Sequence, residues 1–454
     1  MRSTLSINPE DLRLDVVGGR HVIKRLADRL FKGKDKVVRY IALSHCWGQS
    51  DPNRRPPHCT TKDNVERRQR GFKLSELPKT FQDAVEVTRE LGVQYLWIDS
   101  ICIIQGRHGD WEQESKRMEQ VFASAYCTIA ATSAENSNSG FLGGQVDHDG
   151  IYVQGPEGRR VYVSTNVADF DNDVNEANIN KRAWIMQERF LSPRTIHFGK
   201  NQVYGECGEE VYAGGKIFLT CQNPSKKYFR LDPKFPNRLR RSGWVATLEF
   251  LQSLLEDYTR RDISIQTDRA VAISGLMTRI GKALPSRIHH GITEWYLHRT
   301  LLWHRLSGQK MERIDYGLSK VPSWSWMAYK GAIEFVPDKF GDLWLIKDLA
   351  FDADFLTATV WEFTDRRMKM EAEENVMQYR LGKGWVSLDE EAALTMLPDV
   401  VVVARCKTTK PGNCRYYVLF VRLKESGDVY ERIGMGMLQE DCGLRKKKVN
   451  GRVS

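Results

Sequence analysis

No apolar run in the 454 residues is long enough to cross a bilayer, and Asp, Glu, Arg and Lys are spread through the first thirty positions. This argues against a transmembrane anchor and a signal peptide, so a cytoplasmic protein with no membrane partner is expected. CxxC spacing is absent as well. The nine cysteines, an odd number in a long chain, read as reduced thiols and not as a disulfide framework. Cys46, Cys102, Cys127 and Cys207 sit inside or at the ends of apolar segments and read as small buried hydrophobes. The couples His45-Cys46 and His58-Cys59 lack matching ligands nearby, so no metal site is expected. No Walker loop or GxGxxG opens a helix after a strand, which removes the ATPase and dehydrogenase readings and leaves no resident cofactor in view. The chain has no internal repeat.

What is present is a globular composition, 41% hydrophobic and 28% charged, over a length that calls for two or three domains. The net charge of +10 favours anionic partners. The basic residues are nevertheless dispersed, apart from short clusters at Arg54-Arg55, at Arg67, Arg68 and Arg70, and at 445–448. With no nucleic-acid fold signature beside them, no specific nucleic-acid partner is expected.

The most apolar stretch is 91–105, LGVQYLWIDSICIIQ. Tyr95 to Ile98 read as a short strand buried on both faces, as in a parallel sheet, and Asp99 puts a carboxylate where the strand ends. Ligands of open parallel sheets bind beyond the carboxyl ends of the strands. Upstream, 37–44 is a strong strand that ends in Ser44-His45-Cys46-Trp47-Gly48. Between the two, 77–91 carries Phe81, Ala84, Val85, Thr88 and Leu91 at helical spacing, with Gly92 as its stop. Asp110 and Gln113 suggest a capping box opening a second helix, and 126–131 a third strand. Strand–helix–strand–helix–strand implies crossover units and a parallel sheet covered by helices. A helix is also expected over 21–31, another over 183–190, and two strands over 194–198 and 202–207. Helical patterns return over 245–258, 268–284 and 292–306, and β patterns follow Pro322-Ser323-Trp324-Ser325-Trp326.

Taken together, Tyr40–Gly48, Leu77–Ala84, Tyr95–Gln105, Trp111–Met118, Arg182–Arg189, Ser192-Pro193-Arg194 and Glu206-Cys207 resemble, in order and spacing, the fungal heterokaryon-incompatibility (HET) domain, over roughly residues 38–208. Asp268–Leu276 and Pro322–Trp326 resemble pieces that recur downstream in such proteins. The resemblance implies signalling in non-self recognition or defence, with programmed cell death as output. The expected fold class is α/β: a TIR- or flavodoxin-like parallel sheet with flanking helices, followed by a helical segment and a β-rich C-terminal region. The expected segments are 1–36, 37–210, 211–330 and 331–454.

HET domains are similar to TIR domains, some of which cleave NAD+ with a glutamate on a short helix and a Trp four residues before it. Trp184 and Glu188 have that separation, whereas Ile185, Arg182 and Arg189 depart from the pattern. The resemblance implies NAD+ as a substrate, with Glu188 and Asp99 as catalytic carboxylates. Ser44, Trp47, Trp184 and Arg194 are then the substrate-binding candidates. Each residue also has a purely structural reading. Glu188 then pairs with Arg182 or Arg194 to lock its helix, Asp99 caps a turn, the tryptophans are core aromatics, and His45-Cys46 point to opposite faces. The alternative to an enzyme is a module that signals by self-association or by docking on a receptor or sensor protein.

Overall fold

The computed structural model describes residues 11–17, 20–25, 39–48, 56–106, 108–143, 150–154, 160–164, 169–207, 210–213, 216–220, 239, 241–317, 321–336, 343–346, 348–353, 355–364, 370–372, 378–381, 384–390, 398–406, 414–439 and 443–454. The chain divides into two compact units, residues 1–235 and 236–454.

The first unit is built on a ten-stranded sheet. In chain order its strands are β1 (Asp11–Val17), β2 (Arg20–Arg25), β3 (Tyr40–Ser44), β4 (Phe72–Lys73), β5 (Tyr95–Trp97) and β6 (Cys127–Ala130). A separate hairpin, β7 (Gly150–Gln154) and β8 (Arg160–Ser164), precedes β9 (Thr195–Phe198), β10 (Val203–Cys207), β11 (Glu210–Ala213) and β12 (Lys216–Thr220). The sheet order is β12-β11-β10-β9-β6-β3-β5-β2-β1-β4, and only the pairs among β9, β6, β3 and β5 are parallel. Counted along the chain, those four strands lie in the order 2-1-3-4. This is the start of the flavodoxin-like order, whose switch point falls between its first and third strands. Here those are β3 and β6.

The central strand is therefore β3, with β5 at its side. Leu96, Trp97 and Ile98 are buried as the apolar run implies, and Trp97 meets Phe122 edge-on at 5.6 Å. Helices connect the parallel strands. They are α1 (Val65–Arg70), α2 (Lys79–Glu90), α3 (Asp99–Cys102), α4 (Trp111–Ser115), α5 (Met118–Ser124) and α6 (Ala183–Leu191). Helix α2 buries Phe81, Ala84, Val85 and Thr88 of the face its spacing marks, whereas Leu91, the last of that series, is its C-cap and is exposed.

Three local expectations need correction. The helix expected from residue 21 is a strand as far as Arg25, because β2 pairs antiparallel with the otherwise open edge of β5; its remainder, 26–31, lies outside the described residues. The Asp110 capping box does not form: the Asp110 carboxylate instead accepts the Ile104 N–H at 2.7 Å, and the helix beyond is split into α4 and α5. Residues 210–213 and 216–220 extend the sheet, where a connecting loop was expected from 211.

The second unit opens with α7 (Gly243–Thr259) and α8 (Val271–Ala283). The helix expected over 292–306 is mostly absent. A tight hairpin, β13 (Ile288–His289) and β14 (Ile292–Thr293), leads to one helical turn at Leu297–Thr300 and a strand at Trp303–Arg305. Five later strands pair in a closed ring. Phe355–Phe363 pairs with Asp399–Cys406, that with Arg415–Leu423, that with Val429–Gln439, that with Leu444–Val453, and the last again with the first. Closure leaves no exposed edge on these strands, and Val400, Val402, Val418 and Phe420 lie in their core. The architecture is α/β with a β-rich C-terminal region, as expected.

Candidate functional site

The site forms at the carboxyl ends of β3 and β5, where a parallel sheet presents loop residues to solvent. Ser44 is the last residue of β3 and is buried. Asp99 opens α3 immediately beyond β5 and is half-buried. The register Ala42↔Trp97 places the ends of the two strands side by side. Trp47, three residues past β3, donates its indole N–H to one Asp99 oxygen at 2.8 Å, and the Ser100 N–H bonds the other at 2.6 Å. Burial raises the Asp99 carboxyl to about 6, against the pull of these two donors and of Arg182.

Glu188 enters from α6. Its side chain is 6% exposed and shares a hydrogen bond with Ser44. Burial pushes its pKa up to about 8; the Asp99 charge adds to the rise, while Ser44 and Arg182 oppose it. Between pH 6 and 8 the pair therefore holds one protonated and one ionised carboxyl, the arrangement that separates acid from base in carboxylate enzymes. Trp184 is half-buried one turn earlier on the same face of α6.

Loop 133–143 is fastened behind Trp47. The buried Asp83 carboxylate on α2 accepts the N–H groups of Phe141 and Leu142 and pairs with Lys79 at 2.6 Å. Thr80 binds the Ser137 and Asn136 carbonyls, and Ser137 reaches the Trp47 carbonyl at 3.4 Å. His45 packs edge-on against Phe81 at 4.8 Å, with Nδ1 3.9 Å from Asp99. Burial, Arg182 and His58 hold its pKa well below the usual value, so the ring is neutral and the 3.9 Å contact is not an ion pair. Burial raises the Cys46 thiol. A thiolate–imidazolium pair is thus disfavoured on both sides. Among the described residues, His45 Nε2 and Ser100 Oγ are buried without a hydrogen-bond partner, and no group of three or more His, Cys, Asp or Glu is placed to hold a metal ion.

The structure brings Ser44, Trp47, Asp99 and Glu188 to one end of the sheet and leaves Arg194 out. Arg194 precedes β9, whose Thr195 is in register with Thr128 near the start of β6. It is exposed there, donates to the Tyr126 carbonyl at 3.0 Å and lies over the Tyr126 ring. That is the amino end of the parallel strands, roughly 13 Å from the site along a five-residue strand. Arg182 is the basic residue at the site instead: its guanidinium donates to the His45 carbonyl at 2.8 Å and biases both carboxyls. Its place directly before the glutamate's helix was the signal for it.

An ion pair does lock α6 to the sheet, but Glu188 is not in it. Arg189 binds Glu206 through two N–H groups at 2.9 and 3.0 Å, and His197 meets the same carboxylate at 2.7 Å. Burial would raise Glu206; Arg189 and His197 overcome it and hold the carboxyl at about 2. Arg189, one of the two charged residues that depart from the TIR pattern, is thus accounted for by packing. Between α6 and strands β3, β6 and β9 a narrow cavity, bordered by Ser44, Thr128, Ile185 and His197, has room for about one water.

Among the described residues no helix is long and apolar enough to cross a membrane. Residues 40–188 match the family model described as heterokaryon incompatibility protein (HET). No curated protein and no solved structure matches the chain.

Proposed function

With residues 40–188 forming a heterokaryon incompatibility domain, we propose that the first unit hydrolyses NAD+ at its nicotinamide–ribose bond and that this reaction signals cell death in fungal non-self recognition. At the level of the family, the chain's role is in heterokaryon incompatibility. The observation that carries the enzymatic reading is the convergence of Ser44, Asp99 and Glu188 at the carboxyl ends of the parallel strands, with Glu188 buried and bonded to a single hydroxyl. A carboxyl meant only to hold the fold gains a cationic partner, as Glu206 on β10 does from Arg189, the residue directly after Glu188.

In the proposed reaction the positive charge of the nicotinamide ring, set against Trp47 or Trp184, favours the ionised form of Glu188, whose proton passes to bulk water as the substrate binds. The resulting carboxylate holds the ribose hydroxyls and faces the positive charge that develops at the anomeric carbon. Nicotinamide leaves with the bonding electron pair as a neutral base and needs no acid. Water adds to the anomeric carbon and gives its proton to Asp99, leaving ADP-ribose. Ser44 orients Glu188, and Trp47 orients Asp99.

The test incubates purified protein with NAD+ and follows nicotinamide release. Wild type is expected to release it and Glu188→Gln to be slowed at least ~100-fold. No release by folded wild type, under conditions that permit oligomerisation, overturns the enzymatic reading. The 6% exposure of Glu188 is the observation that favours the competing reading, a non-enzymatic module acting by self-association or receptor docking. Under that reading Glu188→Gln keeps its toxicity in cells.

A further inference from the structure

Two stretches of the second unit stand out in the sequence and play no part in the site above: residues 268–276 and residues 322–326. They meet around one cavity of about 560 Å3, within the usual range for small-molecule sites. Ala270 and Ser274 come from the first stretch, and Met327 directly follows the second. The far wall is the β13–β14 hairpin. Its two turn residues, His290 and Gly291, have φ of 43° and 80°, the pattern of a type I′ turn. Ser325 donates to the His290 carbonyl at 2.6 Å and the Trp326 indole to the Gly291 carbonyl at 3.4 Å. A Cβ at Gly291 would lie 2.7 Å from the Trp326 ring, so the turn requires glycine for contact as well as for φ. The serine–tryptophan stretch thus clamps a wall of the cavity in place.

The chemistry of the lining is one-sided. Lys282, Arg287 and His290 border the cavity, and no Asp or Glu does. Among the described residues Arg287 makes no side-chain ion pair or hydrogen bond, although Glu294 lies across the hairpin and bonds the Arg287 carbonyl with its backbone N–H at 3.0 Å. Met277 and Met327, both nearly buried, supply an adaptable apolar surface beside Ile288. We propose that this cavity binds a phosphate-bearing small molecule of mononucleotide size, its phosphate held by Lys282 and Arg287 and its flat ring laid against Met277 and Met327. A planar guanidinium suits two phosphate oxygens at once, and the +10 net charge steers anions toward the protein.

Lys282 lies in the last turn of α8 and Arg287 four residues past its end, where cations also suit the helix dipole, so the test must read binding and not stability. Isothermal titration of the full chain with AMP, adenosine and inorganic phosphate is the experiment. AMP is expected to saturate one site, with adenosine and phosphate each at least ten-fold weaker. Arg287→Glu should weaken AMP roughly ten-fold or more at low salt. Thr278→Trp, at an exposed position on the lining face of α8, should abolish binding while the melting temperature holds. Trp47→Ala in the first unit should leave AMP binding as it is. The proposal fails if folded wild type shows no saturable AMP binding, or if Arg287→Glu and Thr278→Trp bind as wild type does. It fails equally if Trp47→Ala alone removes the site, since the ligand then belongs to the first unit. None of these outcomes depends on NAD+ cleavage.

Discussion

In the second unit Arg432 is buried and matched. Its guanidinium donates to both oxygens of Asp389 at 2.8 and 3.0 Å and to the Leu301 and Trp303 carbonyls, and it lies 3.4 Å from the centre of the Trp303 ring. In the first unit Glu188 is nearly as buried, but one serine hydroxyl is what its carboxyl holds, and a second carboxyl raises its pKa further. The Arg432 arrangement ties together segments from 301 to 432 and gains nothing from changing protonation. The Glu188 arrangement costs the fold stability in its ionised form. A buried charge left short of partners marks where an α/β sheet does something besides stand.

The contrast breaks most visibly at Asp389. Replacing it with Ala leaves the Arg432 charge buried without its carboxylate, and such a loss costs about 3–5 kcal/mol. Urea unfolding followed by tryptophan fluorescence should report it through Trp303, which packs on the guanidinium. A cost under ~1 kcal/mol would mean that water reaches Arg432 and that the pair is no keystone.

Glu206 tests the same logic inside the first unit. Its folded pKa of about 2 lies below the 4.5 of the free side chain. Its stabilisation is therefore complete above pH 4.5 and is lost as pH falls toward 2. The shift corresponds to roughly 3 kcal/mol. Glu206→Gln should cost about that at pH 7 and nothing at pH 2, and a pH-independent cost would assign the effect to packing.

Glu188 should behave in the opposite sense. Its folded pKa of about 8 is raised, so the native state keeps a proton that the unfolded chain releases above 4.5. Stability then falls as pH rises from 4.5 to 8. Glu188→Gln, which keeps a partner for Ser44, should stabilise the protein by roughly 4 kcal/mol at pH 8 and by nothing at pH 4. A variant less stable than wild type at both pH values would make Glu188 a structural residue.

Much of the first unit was legible because its signals are local. The unbroken apolar run of Tyr95 to Ile98 marks a strand covered on both faces, and a carboxylate right after it marks the crevice. The 77–91 spacing marks the helix that carries Asp83. What escaped depends on strand direction and pairing. Arg194 looks close to the site along the chain, yet a residue that precedes a parallel strand lies at the wrong end of the sheet. The Arg189–Glu206–His197 lock forms across the β9–β10 hairpin. Its one trace in the sequence is a polar residue at the buried phase of each alternating strand. Residues 292–306 read as a helix because their apolar spacing is compatible with one, and the tight turn at His290-Gly291 and the β pairing on either side of it override that preference.

The smallest expected effect lies at Trp47, and it separates tuning from packing. Its indole N–H opposes the burial that raises Asp99. Trp47→Phe keeps most of the aromatic volume and removes that donor, so the Asp99 carboxyl should titrate above its value of about 6. The stability cost is that of one hydrogen bond, about 1 kcal/mol. Its sign follows from the lost donor: the variant's native state holds the Asp99 proton more tightly than the wild type's does. The loss should therefore be small below about pH 5, where both native carboxyls are protonated, and grow as pH climbs through 6. Carbon-13 NMR of the Asp99 carboxyl measures the midpoint directly. An upward move, with the acid limb of any NAD+ cleavage moving alongside it, ties Trp47 to the charge state of Asp99. An unmoved midpoint reduces Trp47 to a wall of the crevice.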